Sequence, residues 1–350
     1  MTTLKKMLQG YRLGFPQSVG LMRVVPILTD TEFTQVGDIE SIYLKKDMEY
    51  DKLLMANESQ HIAVIPHGLM YVVAEEAQDR TIPSVHLIAK EKQVNANCLQ
   101  PSQGGYMGEA NREREWGILP RSLKGPAWEH AQEKRYDALW SDIERFMTSV
   151  GLSGREIILF FKEFKTELET FVAQFEPVDK QVGALFIINN FLVGIELVPN
   201  YKIWQQMWRP LVRDCYGSEV IKFVKKGHTS GMFHPLLKDS GITTIGDLES
   251  AVDDLLVEEE EFTNDIIKEV YDENITENEE EVLENFTLFG LQSEHLMGQS
   301  VQHGPERTIY LSLITRHAEK SAEKKREFDS RWNTNSPYEK DKEFSLNSSK

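Results

Sequence analysis

The sequence predicts an α+β fold, with a β-rich N-terminal portion and a central hairpin packed with amphipathic helices. Three observations carry that expectation. Short runs of β-branched and apolar residues, punctuated by Gly, Pro, Asp and Asn, fill the first 120 residues. Apolar residues recur at helical spacing through 131–175 and again through 203–215. Between these zones, two apolar runs at 182–188 and 192–198 flank Asn189-Asn190, a pair that tolerates the left-handed turn of a hairpin.

In chain order, strands are expected at 19–28, 39–44, 61–65, 69–73 and 85–89, each bounded by turn-forming residues. A Gly-rich loop at 100–108 follows. Pro126 then suits a first helical turn, and Ala131, Leu139, Trp140, Ile143, Phe146 and Met147 form the apolar stripe behind it. Gly151 and Gly154 separate this from a second helix whose stripe runs from Ile157 through Phe164 and Leu168 to Phe175. After the hairpin, Ile203, Trp204, Met207, Trp208, Leu211 and Cys215 define the buried side of a Trp-rich helix expected to cover it. Pro210 inside that helix should kink it. Strands are expected again at 286–301 and 308–314. The organisation is one compact domain over 1–315, followed by a polar, mixed-charge tail over 316–350.

Charge is unevenly placed. The net charge of −17 arises from 39 basic and 56 acidic residues. Residues 246–284 hold 17 acidic residues against the single basic Lys268, leaving about −1 for everything else. Leu248, Val252, Leu255, Phe262, Ile266 and Val270 recur at three-, four- and seven-residue steps, so this acidic segment is expected to be a helix with Glu258, Glu259 and Glu261 turned outward. It is either a solvated face or a docking surface for a basic protein partner. An acidic field repels a phosphate backbone, so no nucleic-acid partner is expected. No long apolar run calls for a membrane, and a cytoplasmic location is expected.

Chemistry-bearing motifs are sparse. Two cysteines exclude a disulfide framework, and no histidine spacing or cysteine pair suits a metal, so no metal or cofactor is expected. Cys215 reads as a buried small hydrophobe, while Cys98, beside the Gly-rich loop, is the thiol worth probing. Gly104, Gly105 and Gly108 miss the Walker and dinucleotide spacings. Their backbone N–H groups, with Arg112 and Arg114 following, could still cradle an anion. Glu196 is the most suggestive carboxylate, because nearly all its neighbours in the strand are apolar; it either faces the core with a partner or lies on an exposed side.

Three stretches together resemble a known family. They are Gly108 through Asn111-Arg112 followed by Ile118-Leu119-Pro120; Gln181 and Gly183 through Asn189 and Glu196 to Trp208 and Leu211; and Phe289-Gly290-Leu291, Gly298 and Tyr310 to Leu313. In order and spacing they are similar to the domain family named for its association with ADP-ribosylglycohydrolases and rhodanese-like phosphatases, over roughly residues 10 to 315. The resemblance implies a protein that binds or processes an ADP-ribose-like or NAD-derived nucleotide, with no established reaction. It implies Asn111, Arg112, Gly105 and Gly108 at the phosphates and Glu196 or Gln181 at the reacting end, all around one cleft. The family's Cys-Val-Glu and Arg-Trp signature is absent, and Lys124-Gly125-Pro126 leads into a helix in its place. If that signature is catalytic in relatives, this member binds without turnover. The alternative is a non-enzymatic interaction or assembly protein, docking a basic partner through its acidic helix and tail.

Overall fold

A computed structural model describes residues 1–49, 51–72, 79–101, 115–131, 135, 137–228, 244–246, 257, 261, 263–268, 270–304 and 307–316. The Gly-rich loop beyond Pro101, with Gly105, Gly108, Asn111 and Arg112, lies outside the described residues, as do most of the acidic segment's first half and the tail.

The fold is α+β. Its centre is a ten-stranded antiparallel sheet. From one margin the order is Thr2–Thr3, Asn274–Leu283, Phe286–Gln292, Leu296–His303, Arg307–Thr315, Phe191–Leu197, Gln181–Ile188, Met22–Leu28 and Arg12–Leu13, with Gln17–Val19 also on Met22–Leu28. The hairpin is thus central, and the C-terminal strand Arg307–Thr315 completes it by pairing with Phe191–Leu197. Asn189 and Asn190 take φ of 50° and 66° in its turn, the left-handed conformation that their short polar side chains accept. The N-terminal strands beyond Met22–Leu28 form smaller antiparallel sheets of two, three and four strands.

Side-chain alternation splits the hairpin between two cores. Leu185, Ile187, Ile195 and Leu197 join Leu4, Met7, Ile267 and Val270 on one face. Ala184, Phe186 and Ile188 join Trp204, Met207, Trp208, Leu211 and the small sheets' aliphatic residues on the other. A third core binds the helices Arg121–His130, Trp140–Ser149, Ile157–Glu163 and Lys165–Val172.

Four features differ from the sequence reading. Helix Arg121–His130 begins before Pro126, which sits inside it, so Lys124 is helical and inward-facing. The helix expected through 157–175 is two, broken at Phe164. Pro210 does not end or merely bend the Trp-rich helix. Tyr201–Arg209 widens into the π-helical stretch Pro210–Tyr216 and continues as Gly217–Lys225. A proline lacks the N–H an α-turn needs, and a π-turn absorbs the lost bond without stopping the chain. Last, the acidic stretch is not helical throughout. Residues 263–268 and 270 are helical, but Asn274–Leu283 is a strand registered on Phe286–Gln292.

Candidate functional site

Glu196 faces inward. Its register partners place it in a row crossing the sheet, with Ala184 on one side, Ser312 on the other and Gln299 beyond. Ile195 and Leu197 point to the opposite core, so alternation drives the carboxylate into the face covered by helices. It is 2% exposed there. Lys124, on helix Arg121–His130 and 1% exposed, donates from Nζ to Glu196 Oε1 at 2.7 Å and to Ser312 Oγ at 2.8 Å. The Tyr216 hydroxyl donates to the same Glu196 oxygen at 2.9 Å. Four segments distant in sequence therefore converge on one ion pair.

The surroundings fix each participant. Tyr216 ends the π-helical stretch and stacks on Phe186, with ring centroids 3.8 Å apart. Its hydroxyl lies over Gly194, where a Cβ would sit 2.0 Å from the oxygen; only glycine lets the phenol approach the strand. Helix Arg121–His130 is held at its start by charge. Glu219 accepts from the Ser122 N–H at 2.8 Å, matching a carboxylate to the helix N-terminus. Arg121 donates to the Val193 carbonyl at 3.2 Å and to Thr315 Oγ1 at 2.6 Å, anchoring the helix to strands Phe191–Leu197 and Arg307–Thr315. His67 donates from its backbone N–H to the Tyr310 hydroxyl at 3.0 Å, and its Nε2 lies 3.3 Å from the Lys124 carbonyl.

Burial and the ion pair set the protonation states around it. Burial, then the negative charge of Glu196, hold the Tyr216 and Tyr310 phenols far above their ordinary value, so both stay protonated donors. Burial, then the Lys124 ammonium, hold His67 well below 6.5, so it is neutral and donates from Nε2. Burial pushes the Cys215 thiol up, leaving it inert as expected. Cys98 is corrected: it is fully buried, burial raises its thiol, and Sγ donates to the Gln100 carbonyl at 2.9 Å, so it is no accessible nucleophile. Asp214, on the same helix as Tyr216, is pushed up to about 6 by burial despite the adjoining Arg213 guanidinium.

These shifts predict opposing pH responses. Below pH 6.5 the unfolded chain protonates its histidine while folded His67 does not, so stability falls on acidification by about 1.4 kcal/mol per pH unit. Asp214 works in the other sense. Its raised value gives stability that is complete below 3.8 and lost as pH rises through about 6. Replacing His67 by Gln, whose amide can still reach the Lys124 carbonyl, should flatten the acid limb, so the variant's stability relative to wild type rises as pH falls from 6.5 to 5. Urea unfolding at both pH values measures it; parallel curves would show that His67 is not held neutral.

Of the site residues expected from sequence, the structure seats Glu196 at a polar centre. Gln181 is buried but spent locally: Nε2 donates to the Gly183 carbonyl at 3.0 Å and Oε1 accepts from the Val178 N–H at 2.9 Å. It is a turn-forming residue at the start of its strand, not a partner of Glu196. Asn111, Arg112, Gly105 and Gly108 lie outside the described residues, and so does the cleft they were expected to share. The sequence reading missed Lys124, Tyr216 and Ser312. The available signal for Lys124 was its place between Leu123 and Ala127 on an inward helical face. Among the described residues no group of His, Cys, Asp and Glu could hold a metal, and no helix is long and apolar enough to cross a membrane.

Residues 10–313 match the model of the ARPP-1 family, described as the ARG and Rhodanese-Phosphatase-superfamily-associated Protein domain. The chain belongs to the ARPP-1 family. In this member, the matched span takes in the strands and helices that supply Lys124, Glu196, Tyr216 and Ser312. No curated protein and no solved structure matches the chain.

Proposed function

We propose that this ARPP-1 member is a cytoplasmic protein that binds or processes an ADP-ribose-like or NAD-derived nucleotide, with the Lys124–Glu196 centre at the reacting end. The observation that carries this reading is the buried ion pair itself. Withdrawing an ammonium and a carboxylate from water costs several kcal/mol per ion, and here Tyr216 and Ser312 add directed hydrogen bonds to it. Oriented buried charge of this kind occurs at functional sites as well as in structural ion-pair networks. The carboxylate is the group suited to accept from a ribose hydroxyl, and the two phenols beside it supply donors that hold their protons at neutral pH. Asn111 and Arg112 remain the proposed phosphate contacts, on the sequence resemblance.

A thermal-shift panel with NAD, ADP-ribose and cyclic derivatives tests the reading. A ligand at a hundred times its dissociation constant should add about 2.7 kcal/mol to the folded state. Glu196→Gln keeps the shape and an acceptor for Lys124, and should abolish turnover of any nucleotide that binds. No stabilisation by any of these ligands would refute the reading.

One observation favours the alternative, an interaction protein docking a basic partner. Strand Asn274–Leu283 lies near the sheet margin, where Thr2–Thr3 pairs only with Asn274 and Ile275. Glu279 and Glu284 project from this strand and its turn into solvent. Capture of a basic partner that weakens with salt and with Glu279→Gln would support this reading over the first.

A further inference from the structure

The two margins of the large sheet are finished differently. At one, the outer side of Met22–Leu28 is covered from both ends: Arg12–Leu13 pairs with Leu28 and Ile27, and Gln17–Val19 with Val24, Arg23 and Met22. At the other, Thr2–Thr3 covers only Asn274 and Ile275 of the ten-residue strand Asn274–Leu283. From Thr276 to Leu283 the outer side of that strand has no strand beside it among the described residues. Successive residues of a strand turn their N–H and C=O groups to opposite sides, so about half of these backbone groups face outward with no ladder to join. The pairing with Phe286–Gln292 shifts between Glu279 and Glu281, so the edge offers two short runs, Thr276–Glu279 and Glu281–Leu283, and suits a short segment.

The side chains decide what such an edge accepts. Glu277, Glu279, Glu280 and Glu281 stand in this strand, and Glu284 follows it in the turn. The amides of Gln302 and Gln299 donate to Glu277 at 3.0 Å and to Glu280 at 2.5 Å, which orients these carboxylates without cancelling their charge. Among the described residues Lys92 is the one cation paired with the strand, on Glu281. Glu279 is exposed, and so is Val282, an apolar side chain left 57% in solvent. A second copy is a poor occupant. Pairing this edge with itself sets glutamates against glutamates, and like charges directly opposite are destabilising. A strand that alternates lysine or arginine with β-branched residues places cations opposite the glutamates and an apolar face beside Val282. The charges that keep other copies off the edge thus select a cationic strand.

We propose that the outer edge of Asn274–Leu283 binds a short basic segment of another protein in extended form, as an added strand. The proposal rests on the basic-partner reading above and gives that partner its conformation. Full-length protein is titrated with three labelled octapeptides: one alternating lysine and valine, one alternating glutamate and valine, and the lysine peptide with every backbone nitrogen methylated. Anisotropy at low and high salt reads binding, and hydrogen exchange resolved by residue reads the edge. The lysine peptide should bind saturably, weaken as salt rises and slow exchange of the outward amides within 276–283, while the other two should not bind. Glu279→Gln should weaken it by up to about fivefold, the range of one opposite-charge cross-strand pair, and Glu279→Lys by about tenfold. Equal binding of the N-methylated peptide would overturn strand addition while leaving a basic partner in place. Failure of both lysine peptides to bind at low salt would overturn both. Outward amides that already exchange slowly in the protein alone would show the edge covered by this chain or a second copy, which sedimentation separates, and would also overturn the proposal.

Discussion

Lys124→Met is expected to lower the unfolding free energy by about 3–5 kcal/mol, because it strands the Glu196 carboxylate in the core with Tyr216 as its remaining donor. The loss comes from the uncompensated charge, not from missing volume, since methionine fills nearly the same space. The double variant Lys124→Met with Glu196→Leu should therefore recover most of the loss, as replacing a whole buried pair by apolar groups is often neutral or better. Urea unfolding of the two single variants and the double variant closes a cycle that isolates the pair. A single variant within about 1 kcal/mol of wild type would mean that water reaches the carboxylate.

The second large effect is at Trp208. Trp204 and Trp208 are 0% and 6% exposed, with ring centroids 5.6 Å apart, and they share a core with Ala184, Phe186 and Val193 of the hairpin. Trp208→Ala removes an aromatic body that no neighbour can replace, at an expected cost of about 3–5 kcal/mol. An unchanged melting temperature would place that side of the helix in solvent. The loss should leave the ion pair's own cycle intact, because Trp208 makes no hydrogen bond to Lys124 or Glu196 among the described residues.

What the sequence revealed depended on how local the cause was. The hairpin was legible because its cause lies within about twenty residues: two apolar runs and an Asn-Asn turn. The stripe from Ile203 to Cys215 was legible for the same reason, and its continuation through Pro210 was not, since a π-turn leaves no mark in apolar spacing. Strand Asn274–Leu283 was hidden by composition. Its glutamates look like a solvated helix face, and only pairing with Phe286–Gln292 reveals the two-residue alternation that buries Ile275. Glu196 drew attention as a carboxylate among aliphatic residues, yet its orientation was undecidable from one strand. Lys124 left only its place on an inward helical face, which names no acceptor. A lysine reads as solvated until its acceptor is known, and that acceptor is 72 residues away.

The register of the large sheet has a consequence for how the chain is made. Lys124 meets its second acceptor, Ser312, only after 188 further residues have been added. At ribosomal speeds of about 5–20 residues per second, that interval is roughly 10–40 s. From the completion of strand Phe191–Leu197 until Arg307–Thr315 is made, about 110 residues later, that strand lacks its neighbour and one long edge of the hairpin stays open. Thr2–Thr3, synthesised first, must likewise wait for Asn274 and Ile275. The nascent chain therefore carries an unpaired apolar strand edge for about a third of its synthesis, the condition under which strands pair with the wrong chain. Truncations ending between residues 200 and 300 should bind chaperones or aggregate, and release should coincide with emergence of the last strand.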